Sequence, residues 1–517
     1  MIVTLAGPGA GKTTDLIEQI ENVLSEVDTN REIAVITYTN ASVNDLKDKL
    51  IKKQKLPQNL FIGTIHSFLF RYYIQPFAQE RGCKTSETTI VDRFSDAGVD
   101  WIEGWVKQKV DISRRNQTIK AMKQSRRNCQ IEAAAKKGIY TFDGIIKIAK
   151  LLSEDRQISK AISNRLQYLF VDEYQDIDKY GHSIIMQLYK QKKTNISIVG
   201  DPDQSIYRFR YGNSQIGEQA PQNGKQPLNE FVELCKKNSE DKLRELTINH
   251  RSSKEIVKFN NRYSTLTEQI PEKGSICQVQ ILDSTDKGYI IDRLFDVGNQ
   301  YECKSYLILA KDNTTVCELE SVKGTNKEDN LFYDLNHIID VFIADTGLSK
   351  IKFQEEYKID RFQLRRIAVA ARNALQKNEI EHEEVAMFCK NEFKDLYSID
   401  VNLNNAQTVD NNGKKLDYGY ESEIGIVQKL NDFNCKYISI HKSKGLESDA
   451  VLVVAKTESE MLKWLNMTRT NMKSDSDEMY RLGYVAFTRP RKILMLACLE
   501  KMDFNKIKST VNVQIVK

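Results

Sequence analysis

The first residues suited to chemistry lie near the N-terminus, where the letters GPGAGKTT occupy positions 7–14. An apolar run, Ile2–Leu5, precedes them, and apolar residues then recur at helical spacing from Leu16 to Val27. A strand, a glycine-rich loop and a helix in this order form a phosphate-binding loop, because backbone N–H groups and the helix N-terminus surround an anion. We therefore predict a nucleoside triphosphate site in which Lys12 reaches the β- and γ-phosphates and the Thr13 hydroxyl binds Mg²⁺. The loop residues of this site are Ala6, Gly7, Pro8, Gly9, Ala10, Gly11, Lys12, Thr13 and Thr14.

Two acidic residues, Asp172 and Glu173, follow a second apolar run at Tyr168–Val171. Open α/β sheets bind ligands at the carboxyl ends of their strands. We predict that Asp172 holds Mg²⁺ and that Glu173 positions and deprotonates the attacking water. An acidic pair after a strand is often structural or solvated, but its combination with a phosphate loop indicates catalysis.

A third segment, GDPDQSIYRFR at positions 200–210, follows another apolar run. The Gln204 amide would stand at the tip of a strand, where it could sense the γ-phosphate. Aromatic rings interleaved with arginines make a stacking platform for nucleic-acid bases. Core packing of the two rings is the alternative that the pattern leaves open. The residues of this platform are Tyr207, Arg208, Phe209 and Arg210.

These three segments, in this order, resemble motifs I, II and III of the UvrD/Rep/PcrA superfamily 1 DNA helicases. Further segments resemble the family's other motifs, and they are AVITYTN (34–40), GTIHSF (63–68), NHR (249–251), IHKSKGLE (440–447) and YVAFTR (484–489). The resemblance implies an ATP-dependent, DNA-stimulated enzyme that moves 3′→5′ along single-stranded DNA. It also implies that ATP is hydrolysed with Mg²⁺ in a cleft between two RecA-like domains.

The resemblance assigns nucleotide-site roles to residues in the second half of the chain. Arg251 and Arg489 are implied to reach the γ-phosphate, where an arginine can raise the rate by about 10³–10⁵. His250 occupies a position at which the family often has a tyrosine stacked on adenine. Gly445 and Glu447 are implied to lie near the nucleotide. The implied DNA contacts of the motifs outside positions 200–210 are Tyr38, Thr64, His66 and His441.

The fold that the resemblance implies is α/β, with two RecA-like P-loop domains of parallel sheets flanked by helices. Each domain is interrupted by a mainly helical insertion. The expected segments are 1–68 and 140–238 (domain 1A), 69–139 (insertion 1B), 239–311 and 431–517 (domain 2A), and 312–430 (a reduced 2B-like insertion). Insertion 1B would carry Trp101, Trp105 and the basic stretch Lys107–Lys137, which has ten Lys or Arg. Such a stretch can supply phosphate contacts, or it can be a solvated helix face.

Composition sets weaker bounds on the protein. The net charge of +5 is too small to demand a nucleic-acid partner, and a hydrophobic content of 40% is typical of a folded protein. Nine cysteines without a CxxC pair predict reduced thiols in the cytoplasm, with neither a disulfide framework nor a zinc site. Because no apolar run reaches the length of a membrane span, we expect no membrane partner.

Two departures from the family pattern affect the expected activity. The chain begins at the first strand, so the family's glutamine-containing adenine motif has no counterpart, and we expect relaxed discrimination among nucleotides. The small insertions leave less surface for separating a duplex, which costs about 1.4 kcal/mol per base step. Translocation without processive unwinding therefore stays open.

Three classes of function fit these residues unequally. The first is a DNA motor acting on single-stranded or tailed duplex DNA. The second is a nucleotide-gated DNA-binding switch that regulates a separate nuclease subunit, because the short insertions also resemble the helicase subunit of the Gabija anti-phage system, which works with an OLD-type nuclease. A stand-alone repair helicase, which would be a motor of the first class, fits the same residues. The third class, a small-molecule P-loop kinase, is disfavoured, since it has no use for Gln204, Arg210 or the GTIHS element.

Overall fold

The computed structural model describes residues 1–24, 26–27, 30–53, 56–91, 131–206, 227–322, 435–473, 478–509 and 511–516, with parts of 338–403. The chain divides into two units, Met1–Val316 with Ile438–Lys517, and Cys317–Tyr437. The second unit overlaps the segment 312–430 expected as the 2B-like insertion. Several residues singled out in the sequence lie outside the described residues, namely Trp101, Trp105, Tyr207, Arg208, Phe209, Arg210 and most of Lys107–Lys137.

Sixteen strands are defined by the structure. In chain order they are β1 Ile2–Ala6, β2 Glu32–Thr37, β3 Leu60–Thr64, β4 Thr89–Val91, β5 Ile139–Thr141, β6 Leu166–Val171, β7 Asn195–Gly200, β8 Lys242–Leu246, β9 Ile248–Asn249, β10 Ile270–Pro271, β11 Gln280–Leu282, β12 Tyr306–Ala310, β13 Cys435–Ser439, β14 Ser448–Ala455, β15 Pro490–Cys498 and β16 Gln514–Val516. They form two six-stranded sheets and two short two-stranded pairs, β9 with β10 and β4 with β5.

The first sheet is parallel and has the order β3-β2-β6-β7-β1-β8. The strand β7 lies between β6 and β1, so the loops after these three strands are neighbours at the carboxyl edge. Those loops carry the phosphate loop, the acidic pair and Gln204. The strand β8 pairs with β1 although it follows position 238, where the sequence analysis ends domain 1A.

Both faces of the first sheet are covered, which is why its strands read as nearly continuous apolar runs. On β2, Ile33 and Val35 belong to one core cluster with residues of the helices Lys12–Leu24 and Asn40–Lys53. The alternate residues Ala34 and Ile36 belong to a second cluster, which includes residues of three further helices. Those helices are Phe142–Ser153, Lys179–Gln191 and Pro227–Lys237.

The second sheet has the order β13-β12-β14-β15-β11-β16, and its defined registers are parallel. One core cluster joins the apolar residues of β12, β14 and β15 to the helices Lys254–Asn261, Glu458–Leu465 and Glu478–Phe487. The helix Lys287–Gln300 packs against β14 and β15. The predicted α/β fold with two parallel sheets flanked by helices is thereby confirmed.

The remaining α-helices of the described residues are Ile65–Leu69, Gln75–Phe77, Arg156–Arg165, Asn313–Ser321, Arg361–Gln376, Val385–Tyr397 and Arg469–Lys473, and a π-helix, Phe70–Ile74, joins the first two. Arg361–Gln376 and Val385–Tyr397 lie in the second unit and share its core cluster. No helix in the described ranges combines the length and apolar character that crossing a membrane requires.

Candidate functional site

The phosphate loop connects β1 to the helix that begins at Lys12. Gly9 and Gly11 adopt φ angles of 72° and 79°, in the left-handed region that favours glycine. The Lys12 ammonium donates to the carbonyl oxygens of Ala6 and Gly7 at 3.2 and 3.4 Å. Ala6 and Ala10 are buried, whereas Thr13 is half-buried and Thr14 is exposed. The lysine and the loop backbone therefore lie together at the carboxyl end of β1.

The segment Asn249–Arg251, which the sequence assigns to the second domain, packs directly on this loop. The His250 N–H donates to the Gly9 carbonyl at 2.9 Å, and the Asn249 side chain donates to the Pro8 carbonyl at 2.8 Å. A Cβ at Gly9 would lie 2.7 Å from the Cβ of Arg251. Glycine is therefore required at position 9 for its φ angle and for this approach.

Asp172 and Glu173 follow β6, as the sequence predicts. Glu173 has a φ of 48°, and its backbone N–H donates to Asp172 Oδ1 at 2.9 Å. Burial, followed by the charge of Glu173, raises the pKa of Asp172 to about 7. Burial also raises the pKa of Glu173, but Lys12 and then Lys444 outweigh it, so the net shift is downward. The adjacent carboxyl groups thus have different proton affinities.

These groups fit a divalent cation. Asp172 is 8% exposed, and a second carboxyl group follows it directly in the sequence. A hydroxyl and a carboxylate are the hard oxygen donors that Mg²⁺ prefers. Thr13 and Asp172 would therefore hold Mg²⁺ together with phosphate oxygens. In the parts of the chain that the structure describes, no cluster of three or more His, Cys, Asp or Glu is placed to bind a metal by itself.

Gln204 and Arg489 come from opposite sheets and meet in a buried position. Arg489 Nη2 donates to Gln204 Oε1 at 2.8 Å, and the two residues are 1% and 4% exposed. Burial, then the charge of Arg251, lowers the pKa of Arg489 to about 9, so the guanidinium stays charged at neutral pH. The glutamine predicted to sense the γ-phosphate and the second predicted arginine are thus direct partners.

Arg251 is placed between the phosphate loop and Glu447. Its guanidinium forms an ion pair with Glu447 and donates from Nη1 to the Thr488 carbonyl at 3.2 Å. Arg491 Nε donates to the same carboxylate at 3.0 Å. Glu447 therefore positions two guanidinium groups, a role that the sequence did not indicate. Gly445 is exposed with a φ of 81°.

Two further contacts between the sheets were missed by the sequence analysis. Lys444 Nζ donates to both Asp176 carboxylate oxygens at 2.6 Å and to the Gln204 carbonyl at 2.8 Å. The Asp203 carboxylate accepts from the Thr265 N–H at 2.7 Å and from the Ser264 hydroxyl at 3.0 Å. Lys444 and Asp203 lie inside recognised motifs, but their partners are far away in the sequence.

His250 lies beside the phosphate loop. A Cβ at Gly11 would lie 3.5 Å from its ring, and the ring's Nδ1 is 3.0 Å from the Glu272 carboxylate. The His250 side chain is 49% exposed, so part of the ring is available to a planar ligand. Stacking on a base stays a prediction.

The predicted DNA contacts that the structure describes lie at or just after the carboxyl ends of β2, β3 and β13. Thr64 caps the helix Ile65–Leu69, and its hydroxyl lies 2.7 Å from the Ser67 hydroxyl. The His66 ring is 4.8 Å from Phe142, an aromatic residue that is 39% exposed. Phe142 was not singled out in the sequence. The signal that could have indicated it is an aromatic residue at the first position of a helix. Tyr38 and His441 are half-buried, and His441 Nε2 is 3.3 Å from Glu478.

Comparison with known proteins identifies the family. The model of the UvrD/REP helicase N-terminal domain matches residues 1–140 and 107–225, and the model of the UvrD-like helicase C-terminal domain matches residues 422–501. The chain belongs to the UvrD-like superfamily 1 helicases. Members of this family are ATP-dependent DNA helicases. The phosphate loop, the acidic pair and Arg489 lie within the matched segments, whereas Arg251 lies between them.

Several curated UvrD-like relatives are similar over much of the chain. Gabija protein GajB of Bacillus cereus (strain VD045) is 24% identical over 480 residues, which cover 88% of this chain and 87% of that protein. ATP-dependent DNA helicase PcrA of Staphylococcus aureus is 22% identical, with 100% of this chain and 84% of that protein covered. ATP-dependent DNA helicase Rep of Escherichia coli (strain K12) is 24% identical over 60% of this chain and 50% of its own length.

Proposed function

We propose that this UvrD-like protein is a motor that moves 3′→5′ along single-stranded DNA and hydrolyses ATP between its two sheets. The observation that carries the proposal is the approach of two arginines to the first sheet. Arg489, which precedes β15 of the second sheet, contacts Gln204, and Arg251, which follows the short strand β9, packs on the phosphate loop. An arginine that completes the site can raise phosphoryl-transfer rates by about 10³–10⁵. Hydrolysis would then require the two sheets to approach one another, and their cycle of approach and separation would drive movement.

Each side chain has a distinct part in the proposed reaction. Lys12 binds the β- and γ-phosphates, Glu173 accepts a proton from the attacking water, and the two arginines offset the charge that develops on the γ-phosphate. The lowered pKa of Glu173 keeps it ionised and able to act as a base at neutral pH. When bound, Mg²⁺ would neutralise phosphate charge from its ligands Thr13 and Asp172.

The first test is ATPase activity with and without single-stranded DNA. We expect strong stimulation by DNA in the wild type, and loss of hydrolysis in Lys12→Ala and Glu173→Gln. Glu173→Gln should still bind ATP and DNA, because it removes a base and leaves the phosphate loop intact. Glu233→Gln is the matched control and should behave as wild type, because this side chain is 44% exposed and pairs with Lys236 of its own helix. A wild-type rate that DNA leaves unchanged would exclude the motor.

Direction of movement needs a second assay. Streptavidin bound to one end of an oligonucleotide is displaced when a motor runs into that end. The proposal expects ATP-dependent displacement from the 5′ end and little from the 3′ end. The reverse preference would contradict 3′→5′ movement while leaving the ATPase assignment in place.

The alternative is a nucleotide-gated DNA-binding switch that regulates a partner nuclease in anti-phage defence. Similarity to a Gabija protein over 88% of this chain favours it. The two functions differ in whether ATP separates the strands of a 3′-tailed duplex. Strand separation at a rate that follows ATP hydrolysis supports the motor, whereas ATP-dependent DNA binding without separation or streptavidin displacement supports the switch.

A further inference from the structure

A path of hydrogen bonds, linked through the backbone N–H and the side chain of Asp201, crosses the site from Glu173 to Arg489. Gln175 Nε2 donates to the Glu173 carboxylate, and Gln175 Oε1 accepts from the Asp201 backbone N–H at 3.0 Å. Gln204 Nε2 donates to Asp201 Oδ2 at 2.6 Å, and Gln204 Oε1 accepts from Arg489 at 2.8 Å. The path therefore joins the predicted base of the first sheet to the predicted arginine of the second.

Every bond in this path has a defined polarity. Both Asp201 carboxyl oxygens accept hydrogen bonds, Oδ1 from the Asp203 N–H at 3.0 Å and Oδ2 from Gln204, and a guanidinium can only donate them. Gln204 lies between Asp201 and Arg489, so its amide nitrogen must face the aspartate and its oxygen must face the arginine. In the same way, the Asp201 N–H and the Glu173 carboxylate determine the orientation of the Gln175 amide. Reversing either amide would place two donors or two acceptors against each other.

The middle of the path is shielded from water and tightly packed. Gln175 and Asp201 are 2% and 0% exposed. A Cβ at Gly200 would lie 2.7 Å from Gln175 Oε1, which leaves the amide no room to move toward β7. In a buried setting an unsatisfied polar group is costly, so a displaced member of the path forces its neighbours to rearrange.

We propose that Gln175 and Asp201 are positioning residues that couple the placement of Glu173 to the arrival of Arg489. When Arg489 binds Gln204, the path holds Glu173 in the orientation that a base requires. When Arg489 withdraws, Gln204 Oε1 loses the donor that orients it, and the path is free to rearrange. Hydrolysis thereby depends on contact between the sheets through hydrogen bonds, in addition to the charge of the arginine. This inference rests on the proposed ATPase function.

The test uses the full-length protein and substitutions that interrupt the path without adding charge. Gln175→Leu removes both amide contacts at similar volume. Gly200→Ala displaces the Gln175 amide without removing any polar group. We expect each to lower the kcat of DNA-stimulated hydrolysis by about 10- to 100-fold, the range for loss of a hydrogen-bond partner that orients a metal ligand. The KM for ATP and the affinity for DNA should change by less than about threefold, since neither residue is proposed to touch substrate.

Asp201→Asn tests the polarity of the path. The two Asp201 oxygens accept from the Asp203 N–H at 3.0 Å and from Gln204 Nε2 at 2.6 Å, so in either orientation the asparagine NH₂ group would face one of these donors. One of the two hydrogen bonds is then lost, so kcat should fall although the volume is unchanged. Gln280→Leu is the matched control, because Gln280 is a buried glutamine at 8% exposure on a strand of the second sheet. It should retain the wild-type kcat.

A double-mutant cycle separates coupling from a local structural role. If the path couples the two ends, Gln175→Leu should lower kcat only slightly further in a Gln204→Leu background. Effects of the two substitutions that multiply fully would overturn the inference, because Gln175 would then act independently of Gln204 and Arg489. Thermal melting and binding of a fluorescent ATP analogue identify variants that fail to fold, and for these the Gly200→Ala variant enters the cycle in place of Gln175→Leu.

The wild-type protein distinguishes failure of this inference from failure of the proposed function. If DNA stimulates hydrolysis in the wild type and the effects of the two substitutions on kcat multiply fully, the inference about Gln175 and Asp201 is wrong and the proposed function stands. Absence of hydrolysis in the wild type overturns both, because no reaction remains for the path to control. If DNA stimulates hydrolysis in the wild type and the effects of the two substitutions do not multiply, both the inference and the proposed function are supported.

Discussion

Lys444 offers the sharpest test of how the two sheets are held together. Its ammonium donates to both oxygens of Asp176 at 2.6 Å, and the side chains are 8% and 1% exposed. Lys444→Met keeps most of the aliphatic length of the side chain but leaves the Asp176 carboxylate without this cation. Because the carboxylate cannot reach bulk water where it lies, its charge must be stabilised less well or neutralised by a proton.

The expected cost follows from this burial. Removing one partner of a buried ion pair destabilises a protein by about 3–5 kcal/mol, whereas breaking an exposed pair costs about 0–1 kcal/mol. At about 2 °C per kcal/mol, the lower value for large domains, the melting midpoint of Lys444→Met should fall by about 6–10 °C. The sign does not depend on the exact conversion, because the desolvated carboxylate is present only in the folded protein.

Thermal melting followed by circular dichroism measures the effect, and Lys506→Met is the matched control. Lys506 pairs with Glu458 at 2.8 Å, but these side chains are 52% and 24% exposed, so loss of this pair should change the melting midpoint far less. The double variant Lys444→Met with Asp176→Asn should recover most of the lost stability, since no buried charge is then left alone.

Two outcomes would refute this reasoning about Lys444. Equal melting midpoints for Lys444→Met and Lys506→Met would mean that burial of the first pair has no energetic consequence. A double variant no more stable than Lys444→Met would mean that the lone Asp176 charge is not the cause of the loss.

Three further predictions follow from the site. Arg489→Ala should lower the kcat of DNA-stimulated hydrolysis by about 10³-fold with little change in ATP binding. A rise of the same size in the KM for ATP, measured by steady-state kinetics, would contradict it. Phe142→Ala should weaken single-stranded DNA binding by about 1–3 kcal/mol in fluorescence anisotropy at constant salt, whereas Tyr289→Ala, an exposed aromatic elsewhere at 41%, should not. Burial is the largest influence on His182 and lowers its pKa from 6.5, so the folded state disfavours the protonated ring and loses stability as the pH falls below 6.5. The melting midpoint should therefore fall between pH 7.5 and 5.5, and less so in His182→Gln.

The sequence alone was sufficient for the local parts of this protein. The phosphate loop is contiguous, and its glycines, lysine and threonine act through the backbone of one short segment, so residue types and spacing identify it. The apolar runs of β1, β2, β6 and β7 predict buried parallel strands for the same reason, since each strand is covered on both faces. The order of the motifs was enough to recognise the family and to predict two sheets.

Tertiary structure decided which residues act on one another across the site. Gln204 and Arg489 are separated by 285 positions and Lys444 and Asp176 by 268, so no local pattern pairs them. In the sequence, Phe142 is an ordinary residue at the start of a helix, and only the fold places its ring beside His66. Gln175 is one polar residue of an acidic motif, and only the fold shows that its amide contacts Glu173 and Asp201. A hydrogen bond depends on separations of a few ångströms between atoms, and in parallel sheets the chain order of strands differs from their spatial order. Spacing along the chain therefore identifies a phosphate loop. Only the packing of the two sheets brings together the hydrogen-bond path from Glu173 to Arg489 and the buried ion pair between Lys444 and Asp176.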